Sequence, residues 1–195
     1  DSTNTTHFSL IDADGNRVAA TLSINIPFGA AMVVPGTGVL LNDELDDFAM
    51  STTAQNVYGL IGSKANLLAP GKRPLSSMTP TFVTSPRGTL VVGTPGGSRI
   101  ITMVLLAVLD WLGGATPEQM AAAPRFHHQF YPDEVSLERG ALDAPARADL
   151  TARGHQVTEL NRCYGNLQAV GWASPSGFFA VSDPRGIGAA WSFGE

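Results

Sequence analysis

Positive charge is scarce in this chain. Its 195 residues include 12 lysines and arginines against 17 aspartates and glutamates, for a formal net charge of −5. No run of basic residues occurs, which argues against nucleic acid or an acidic membrane surface as a partner. No apolar run approaches the roughly 18 residues of a membrane-spanning segment, and no signal peptide is recognisable. Because the first residue is Asp1 rather than Met, we expect the chain to be a processed piece of a longer product.

Cysteine is also rare, and several widespread catalytic motifs are missing. Cys163 is the only cysteine, which excludes an intrachain disulfide and a cysteine-based zinc site. The sequence contains no Gly-x-Ser-x-Gly, Ser-x-x-Lys, P-loop or Gly-x-Gly-x-x-Gly motif, so the usual settings of a serine hydrolase or a nucleotide-binding protein are absent. His127 and His128 are adjacent and therefore point to different sides of the backbone. We expect a structural role for them, and neither a metal site nor a cofactor.

The rest of the composition is that of a globular protein. Apolar residues make up 44% of the chain and charged residues 15%, and this length suits one domain with a real core, so we expect 1–195 to be a single domain. Alternating apolar and polar residues around turn sequences predict hairpins, and apolar residues at helical spacing predict helices. The predicted hairpins cover 5–25, 82–92 and 167–181, and the predicted helices 100–111, 117–123 and 144–153. This mixture predicts an α+β fold.

The most informative stretch lies near the start, where Thr5 leads into the first predicted strand. A threonine at the beginning of a chain contains its own base, because a free α-amino group titrates near pH ~8 and can accept the hydroxyl proton. Thr5 becomes such a nucleophile if residues 1–4 are removed. The hairpin register returns Ser23 and Asn25 beside Thr5, with both side chains on one face. The alternative is a structural role, since threonine is common in strands.

Three other stretches contain side chains that suit substrate binding. The segment 43–47 includes four acids, which form either a solvated surface or a pocket for a cationic group. An EF-hand calcium loop is excluded, because its glycine and final glutamate are missing. The adjacent hydroxyls of Ser76 and Ser77 belong either to a capped turn or to a binding site. The long irregular stretch 49–73 is typical of a lid, with Tyr58 as its anchor.

Gly96 and Gly97 stand between a predicted strand and a predicted helix, with Ser98 in the position of an N-cap. Glycines let backbone N–H groups approach a substrate closely, and a helix start favours negative charge. An oxyanion hole is built in this way. The same arrangement also serves helix–strand packing alone, so the residues themselves leave both interpretations open.

Eight motifs occur in an order and at spacings that match one known family. They are TTHFS at 5–9, the strand ending in Asn25, GVLLNDELDDF at 38–48, NVYG at 56–59, KRPLSSM at 72–78, PGGSRI at 95–100, PRFHHQ at 124–129 and SDPR at 182–185. Together they resemble the small subunit of the γ-glutamyltranspeptidase family, which belongs to the N-terminal nucleophile hydrolases. The resemblance covers the chain from Thr5 to its C-terminus.

The resemblance implies a role for each candidate residue. Thr5 is the implied nucleophile, and its hydroxyl also attacks the Asn4 carbonyl, so that residues 1–4 lie upstream of a self-cleavage point. The resemblance implies that Ser23 supports the nucleophile and that Asn25, Glu44 and Asp47 bind a glutamyl α-amino group. It implies that Ser76 and Ser77 bind the α-carboxylate. It also implies that Gly96 and Gly97 form the oxyanion hole and that Tyr58 belongs to a lid over the pocket.

The resemblance also implies a fold, a partner and a reaction. The fold is a four-layer αββα sandwich, completed by a large subunit from the same precursor, which makes the enzyme a heterodimer that works in the periplasm or outside the cell. The reaction transfers a γ-glutamyl group from glutathione or a similar donor to water or to an amino-acid or amine acceptor, through a threonyl acyl-enzyme. The alternatives are a related acylase of cephalosporin, glutaryl or poly-γ-glutamate type, and a non-catalytic paralogue that serves as a binding or assembly subunit.

Overall fold

The computed structural model describes residues 4–57 and 59–193, in which strands and helices are mixed along the chain. The strands are β1 (Thr5–Ile11), β2 (Arg17–Ser23), β3 (Thr81–Ser85), β4 (Gly88–Gly93), β5 (Phe126–His127), β6 (Val135–Leu137), β7 (Val157–Glu159), β8 (Gln168–Ala173) and β9 (Gly177–Ser182). The helices are α1 (Ile100–Leu112), α2 (Pro117–Ala122) and α3 (Ala144–Ala152), and 3-10 turns cover Glu44–Asp47, Lys64–Asn66 and Gly97–Arg99. The predicted α+β class is confirmed.

The first predicted hairpin is present, with the expected register. β1 and β2 pair antiparallel, and Thr5 lies opposite Ser23. The turn closes because the Asp12 carboxylate accepts hydrogen bonds from the backbone N–H groups of Asp14 at 3.0 Å and Asn16 at 2.8 Å. A tight turn determines which residues of the two strands face each other. It therefore places Thr5 beside Ser23.

The inner face of this hairpin is polar. His7 is buried, and its ring forms hydrogen bonds with the hydroxyls of Thr21 at 2.7 Å and Ser9 at 3.0 Å. Burial lowers the pKa of His7 to about 4, so the ring is neutral at pH 7. Gly93 of β4 lies directly under the ring, where a Cβ atom would stand 2.2 Å from the nearest ring carbon. The hairpin therefore packs on the sheet through a neutral histidine rather than through aliphatic side chains.

A four-stranded antiparallel sheet, in the order β3-β4-β8-β9, forms the middle layer. The β1–β2 hairpin packs on one face of it, and α1 and α2 pack against the other. Every residue of β4 is buried, because this strand has neighbours on both sides and layers above and below. The core between sheet and helices includes Leu90, Val92, Met103, Val104, Trp111 and Leu167. The chain thus supplies three layers: helices, sheet and hairpin.

A third sheet, β5-β6-β7, is formed by strands of two and three residues that the sequence pattern did not predict. β5 pairs antiparallel with β6, and β6 pairs parallel with β7 across the connection that contains α3. Strands this short contain no alternation from which a period can be read. The sequence pattern therefore does not predict this third sheet.

Four charged side chains form a cluster next to this sheet, three of them buried and Arg185 partly buried. Arg125 contacts Asp183 at 2.5 Å, and Arg185 contacts Glu138 at 2.8 Å and Asp183 at 3.2 Å. Burial alone would raise the pKa of Asp183, but Arg125 and backbone N–H groups outweigh it and hold that pKa below its usual value. Glu138 also accepts a hydrogen bond from the backbone N–H of Tyr164 at 2.8 Å. The network fastens the segment before β8 to the rest of the chain.

Among the exposed apolar residues of the described chain, two groups lie on regular elements. The first, which we call the outer hairpin face, lies on the side of the hairpin opposite His7, and each of its members is at least 44% exposed: Phe8, Leu10, Val18 and Leu22. The second, which we call the α1 stripe, follows one side of α1 and consists of Ile101, Leu105, Leu109 and Leu112, each at least 51% exposed. Within the described ranges, the helices are too short or too polar to cross a membrane.

Candidate active site

Thr5 is the first residue of β1, and its hydroxyl is held by the strand opposite. Thr5 Oγ1 lies 2.8 Å from Ser23 Oγ, which also accepts a hydrogen bond from the Asn25 backbone N–H at 2.8 Å. The preceding carbonyl is held by the same ladder, since Asn4 O accepts from the Ile24 N–H at 3.2 Å. The hydroxyl and the peptide bond before it are therefore both fixed in position.

Asn25, two residues after the end of β2, has an unusual backbone conformation. Its φ is 72°, in the left-handed region that asparagine tolerates better than most residues. The side chain is buried, and its Nδ2 donates to the backbone carbonyl of Asp43 at 3.0 Å. This contact joins the end of the hairpin to the acidic segment. As predicted from the strand register, Ser23 and Asn25 both lie beside Thr5.

One pocket brings together residues that are far apart in the sequence. Most of the predicted site residues line it, together with a few apolar neighbours: Thr5, Ser23, Asn25, Glu44, Asp47, Leu60, Leu75, Ser76, Ser77, Met78, Gly97, Ser98 and Ile100. Gly96 lines an adjacent cavity instead, and the predicted lid residue Tyr58 lies outside the described residues. The pocket has a volume of about 30 Å³, room for only a few waters.

The acidic side of the pocket belongs to the 3-10 turn Glu44–Asp47. The pKa of Asp47 rises to about 7, chiefly through burial and then through the neighbouring carboxyl of Glu44. Glu44 Oε1 is buried and has no hydrogen-bond partner among the described residues. Two crowded carboxyl groups, one with an unpaired oxygen, form an environment in which a bound cation is stabilised. Of the two interpretations of this segment, the geometry favours the pocket.

Ser76 and Ser77 occupy another part of the pocket lining. Ser76 Oγ accepts a hydrogen bond from the Met78 N–H at 3.2 Å. This bond caps the turn, which is one of the two interpretations that the sequence allows. Ser77 lines the pocket beside Ser76. One hydroxyl therefore shapes the turn, and a hydroxyl at the pocket can donate to a bound acceptor group.

The two glycines form the start of the 3-10 turn that precedes α1. Gly96 has a φ of 149° and Gly97 a φ of 60°, and a Cβ atom on Gly96 would lie 2.4 Å from Met103 Cε. The expected N-cap at Ser98 is wrong, because Ser98 lies inside the 3-10 turn and makes no capping bond. The first N–H groups of a helical turn have no partner within it. Gly97 and Ser98, the first two residues of this turn, line the pocket that contains Thr5.

A second cavity of about 340 Å³ lies behind the glycine pair, and the sequence did not indicate it. Its lining includes Gly96, Gly97, Arg99, His127, Gln129, Glu134, Arg162 and Tyr164. His127 donates or accepts hydrogen bonds with Thr102 Oγ1 at 2.7 Å and Gln129 Oε1 at 2.9 Å, and burial lowers its pKa. The PRFHHQ motif at 124–129 contains two of these lining residues, His127 and Gln129, but adjacent histidines by themselves indicate a structural role.

Comparison with known proteins agrees with this geometry. The family model for gamma-glutamyltranspeptidase matches residues 1–193. The chain is 48% identical over 196 residues to a glutathione hydrolase proenzyme of Pseudomonas sp. (strain A14), covering 95% of this chain. It is 43% identical over 189 residues to the glutathione hydrolase proenzyme of Escherichia coli (strain K12), covering 96% of this chain. The matches span 34% and 32% of those proteins, so the chain represents about a third of their length.

The solved structures extend the similarity to three dimensions. Gamma-glutamyltranspeptidase from Pseudomonas nitroreducens, complexed with L-DON, superposes with a TM-score of 0.85 at 39% identity. The superposition covers 97% of this chain and 100% of that one. The chain therefore has the fold of the N-terminal nucleophile hydrolases and belongs to the gamma-glutamyltranspeptidase family.

Proposed function

We propose that the chain is the catalytic subunit of a γ-glutamyltransferase and glutathione hydrolase, with Thr5 as nucleophile. One observation supports this most strongly: a paired hydroxyl, two carboxyl groups, two serines and a glycine-rich turn line a single pocket. A γ-glutamyl group presents an ammonium, a carboxylate and an acyl carbon. Carboxylates bind the ammonium, hydroxyls bind the carboxylate, and backbone N–H groups stabilise the oxygen on the acyl carbon.

The first reaction of Thr5 is cleavage of its own precursor. Thr5 Oγ1 attacks the carbonyl carbon of Asn4 while the Ile24 N–H donates to the carbonyl oxygen. The C–N bond breaks, the nitrogen gains a proton and becomes the free α-amino group of Thr5, and Asn4 is left as an ester on Oγ1. Water then hydrolyses the ester, which frees the hydroxyl and the Asn4 carboxylate. Ser23 Oγ, at 2.8 Å, orients the Thr5 hydroxyl through a hydrogen bond, and the hydroxyl proton is the one that the leaving nitrogen gains.

The second reaction is acyl transfer. The new amine of Thr5 takes the proton from Oγ1, which attacks the γ-carbonyl of the donor. The Gly97 N–H, with Gly96 beside it, stabilises the oxygen of the tetrahedral intermediate. The intermediate collapses with loss of the donor's amine, which leaves protonated, and a γ-glutamyl ester remains on Thr5. Water or an acceptor amine attacks the ester and regenerates the hydroxyl.

Recognition of the donor is assigned to side chains at the pocket edge. Asp47 and the unpaired Oε1 of Glu44 bind the α-ammonium, with the buried amide of Asn25 next to them. The Ser76 and Ser77 segment binds the α-carboxylate, and the irregular stretch 49–73 covers the bound donor as the predicted lid. The Val57 N–H donates to Asp46 Oδ2 at 3.1 Å, so the lid and the acidic turn are linked.

We further propose a large subunit from the same precursor as the partner, and a periplasmic or extracellular location for the assembled enzyme. The α1 stripe and the outer hairpin face are apolar patches that a monomer in water rarely leaves uncovered. The partner covers the outer hairpin face and supplies the fourth layer of the sandwich. It also supplies the missing pocket walls, since a cavity of about 30 Å³ is too small to enclose a glutamyl group.

The test uses the full-length precursor with Thr5→Ala, Thr5→Ser and Thr6→Ala. Thr6 is the matched control, because it is exposed on the opposite face of β1. We expect Thr5→Ala to abolish both the cleavage before residue 5, measured by mass spectrometry, and release of the amine from a γ-glutamyl anilide. Thr5→Ser retains part of both, and Thr6→Ala retains most. Turnover of the anilide by uncleaved Thr5→Ala would refute the assignment.

Substrate class is tested separately, because a glutaryl acylase would share the nucleophile. A glutaryl group lacks the α-ammonium. Replacing Glu44 and Asp47 together by Gln and Asn should therefore reduce kcat/KM for γ-glutamyl substrates at least tenfold more than for glutaryl ones, an energy difference of about 1.4 kcal/mol. Equal losses on both substrates would favour the acylase.

A further inference from the structure

Three potential metal ligands meet at one end of the β5-β6-β7 sheet. His128 directly follows β5, Asp133 comes two residues before β6, and His155 comes two residues before β7. One ring nitrogen of each histidine and one oxygen of the aspartate all lie within 4.8 Å of one another. His128 Nε2 is 2.8 Å from Asp133 Oδ1, and the two imidazole rings stand edge to face with centroids 5.8 Å apart.

The backbone, rather than chance side-chain rotamers, brings these residues together. β6 and β7 run parallel with Val135 opposite Val157, so Asp133 and His155 are each two residues before a paired position. The Val135 N–H donates to the Gln156 carbonyl at 2.8 Å, which holds the two incoming segments side by side. β5 runs antiparallel to β6, so His128 leaves its strand at this same end. Three strand ends therefore present one ligand each.

We propose that His128, Asp133 and His155 bind a divalent late first-row transition metal, Zn²⁺ in particular. Two imidazoles and a carboxylate are donors that such ions prefer, whereas Ca²⁺ and Mg²⁺ prefer oxygen alone. Zinc ligands at about 2.0–2.2 Å in a tetrahedral arrangement lie about 3.3 Å apart. The present separations, from 2.8 Å to at most 4.8 Å, reach this value with side-chain adjustments alone.

The site is open to solvent, which leaves room for water in the remaining coordination positions. The side chains of His128 and Asp133 are 40% and 80% exposed. A metal here links the connection between β5 and β6 to the connection between α3 and β7. The first of these connections also contains Gln129 and Glu134, which line the second cavity. The ion therefore holds one wall of that cavity in place.

The experiment measures zinc binding to the complete enzyme, purified without a histidine tag and stripped of metal with a chelator. Titration against a chromophoric zinc chelator is done on the parent and on His128→Ala, Asp133→Ala and His155→Ala, with Asp14→Asn as the control. Asp14 is an exposed acid in the first hairpin turn. We expect one zinc per chain, an affinity at least about tenfold weaker in each ligand variant, and no change in the control.

X-ray absorption of the zinc-loaded parent gives a second, independent readout. We expect two imidazoles per zinc, and loss of one in His155→Ala. A hydrogen-bonded His–Asp pair without a metal function would give a different result. In that case, zinc binds equally to the parent and to the ligand variants, or the spectrum contains no imidazole, or Ca²⁺ competes as strongly as Zn²⁺. Each of these results would overturn the proposal. His128 and Asp133 are exposed and His155 is half-buried, so circular dichroism should confirm that the variants fold.

Discussion

The acidic turn should make binding of a glutamyl ammonium depend on pH near neutrality. The pKa of Asp47 is about 7 in the absence of a ligand, and only the ionised carboxylate attracts an ammonium strongly. About a tenth of the carboxyl groups are ionised one pH unit below the pKa, and about nine tenths one unit above it. Inhibition by L-glutamate, which keeps its ammonium over this range, should therefore strengthen about tenfold between pH 6 and pH 8.

Two comparisons separate this effect from a general change in the enzyme. Glutarate has the same carboxylates but no ammonium, so its inhibition constant should not fall over the same range. Glu44→Gln removes the second cause of the raised pKa and keeps the first, which is burial. The pH at which L-glutamate inhibition changes should therefore move lower while staying above the ordinary aspartate value.

Inhibition constants are measured with the mature enzyme against a γ-glutamyl anilide, at intervals of half a pH unit from 5.5 to 8. A constant for L-glutamate that is flat across pH 6 to 8 would contradict the reasoning. An unchanged midpoint in Glu44→Gln would contradict it as well, since it would show that the two carboxyl groups do not interact. Either result would assign the ammonium to a different part of the pocket.

Three further predictions concern the surroundings of the pocket. The pKa of His7 is about 4, below the usual 6.5, so its contribution to stability is present above pH 6.5 and is lost as the pH falls towards 4. Urea unfolding should therefore show a loss of up to about 3 kcal/mol in the free energy of unfolding over this range. His7→Gln should remove that pH dependence. Asp183→Ala leaves the Arg125 guanidinium buried with backbone carbonyls but no carboxylate as partners, and should cost about 3–5 kcal/mol in the same assay. Asp149→Ala, which breaks the exposed Asp149–Arg153 ion pair at the end of α3, should cost about 0–1 kcal/mol. Equal losses would contradict the network's role. Gly96→Ala forces a Cβ atom against Met103 and should lower kcat at least tenfold by moving the oxyanion N–H groups, with KM changing little; an unchanged kcat would remove Gly96 from the site.

The hairpin register is the part of the site that local physics predicts well. An Asp-x-x-x-Asn turn between alternating strands closes in few ways, and a slip of one residue would reverse both faces. Thr5 opposite Ser23 therefore follows from the sequence alone. The meeting of residues 5, 44, 77 and 97 does not, because it depends on packing between distant segments. The resemblance to a family predicted it, and periodicity did not.

The parts that the sequence did not predict share a physical cause. Strands of two or three residues, as in β5 to β7, have no period, and their pairing is decided by tertiary contacts. The 3-10 turn at Gly97–Arg99 replaced the expected Ser98 cap because Gly96, with a φ of 149°, directs the chain into a tighter turn. The second cavity is bounded by four separate segments, so no single stretch of sequence reveals it.

The inverted polarity of the first hairpin connects the chemistry with assembly. A strand that turns His7 and Ser9 inward and exposes Phe8 and Leu10 has the wrong polarity for an outermost layer in water. It has the right polarity for the inside of a sandwich whose last layer comes from another subunit. Thr5 is the first residue of that same strand, so the layer that we propose to cover the outer hairpin face would also steady the proposed nucleophile. Leu10→Lys should therefore reduce both recovery of the assembled enzyme, measured by size-exclusion chromatography, and cleavage before Thr5, although it leaves every pocket residue unchanged. Normal cleavage together with failed assembly would show that the two properties are separate.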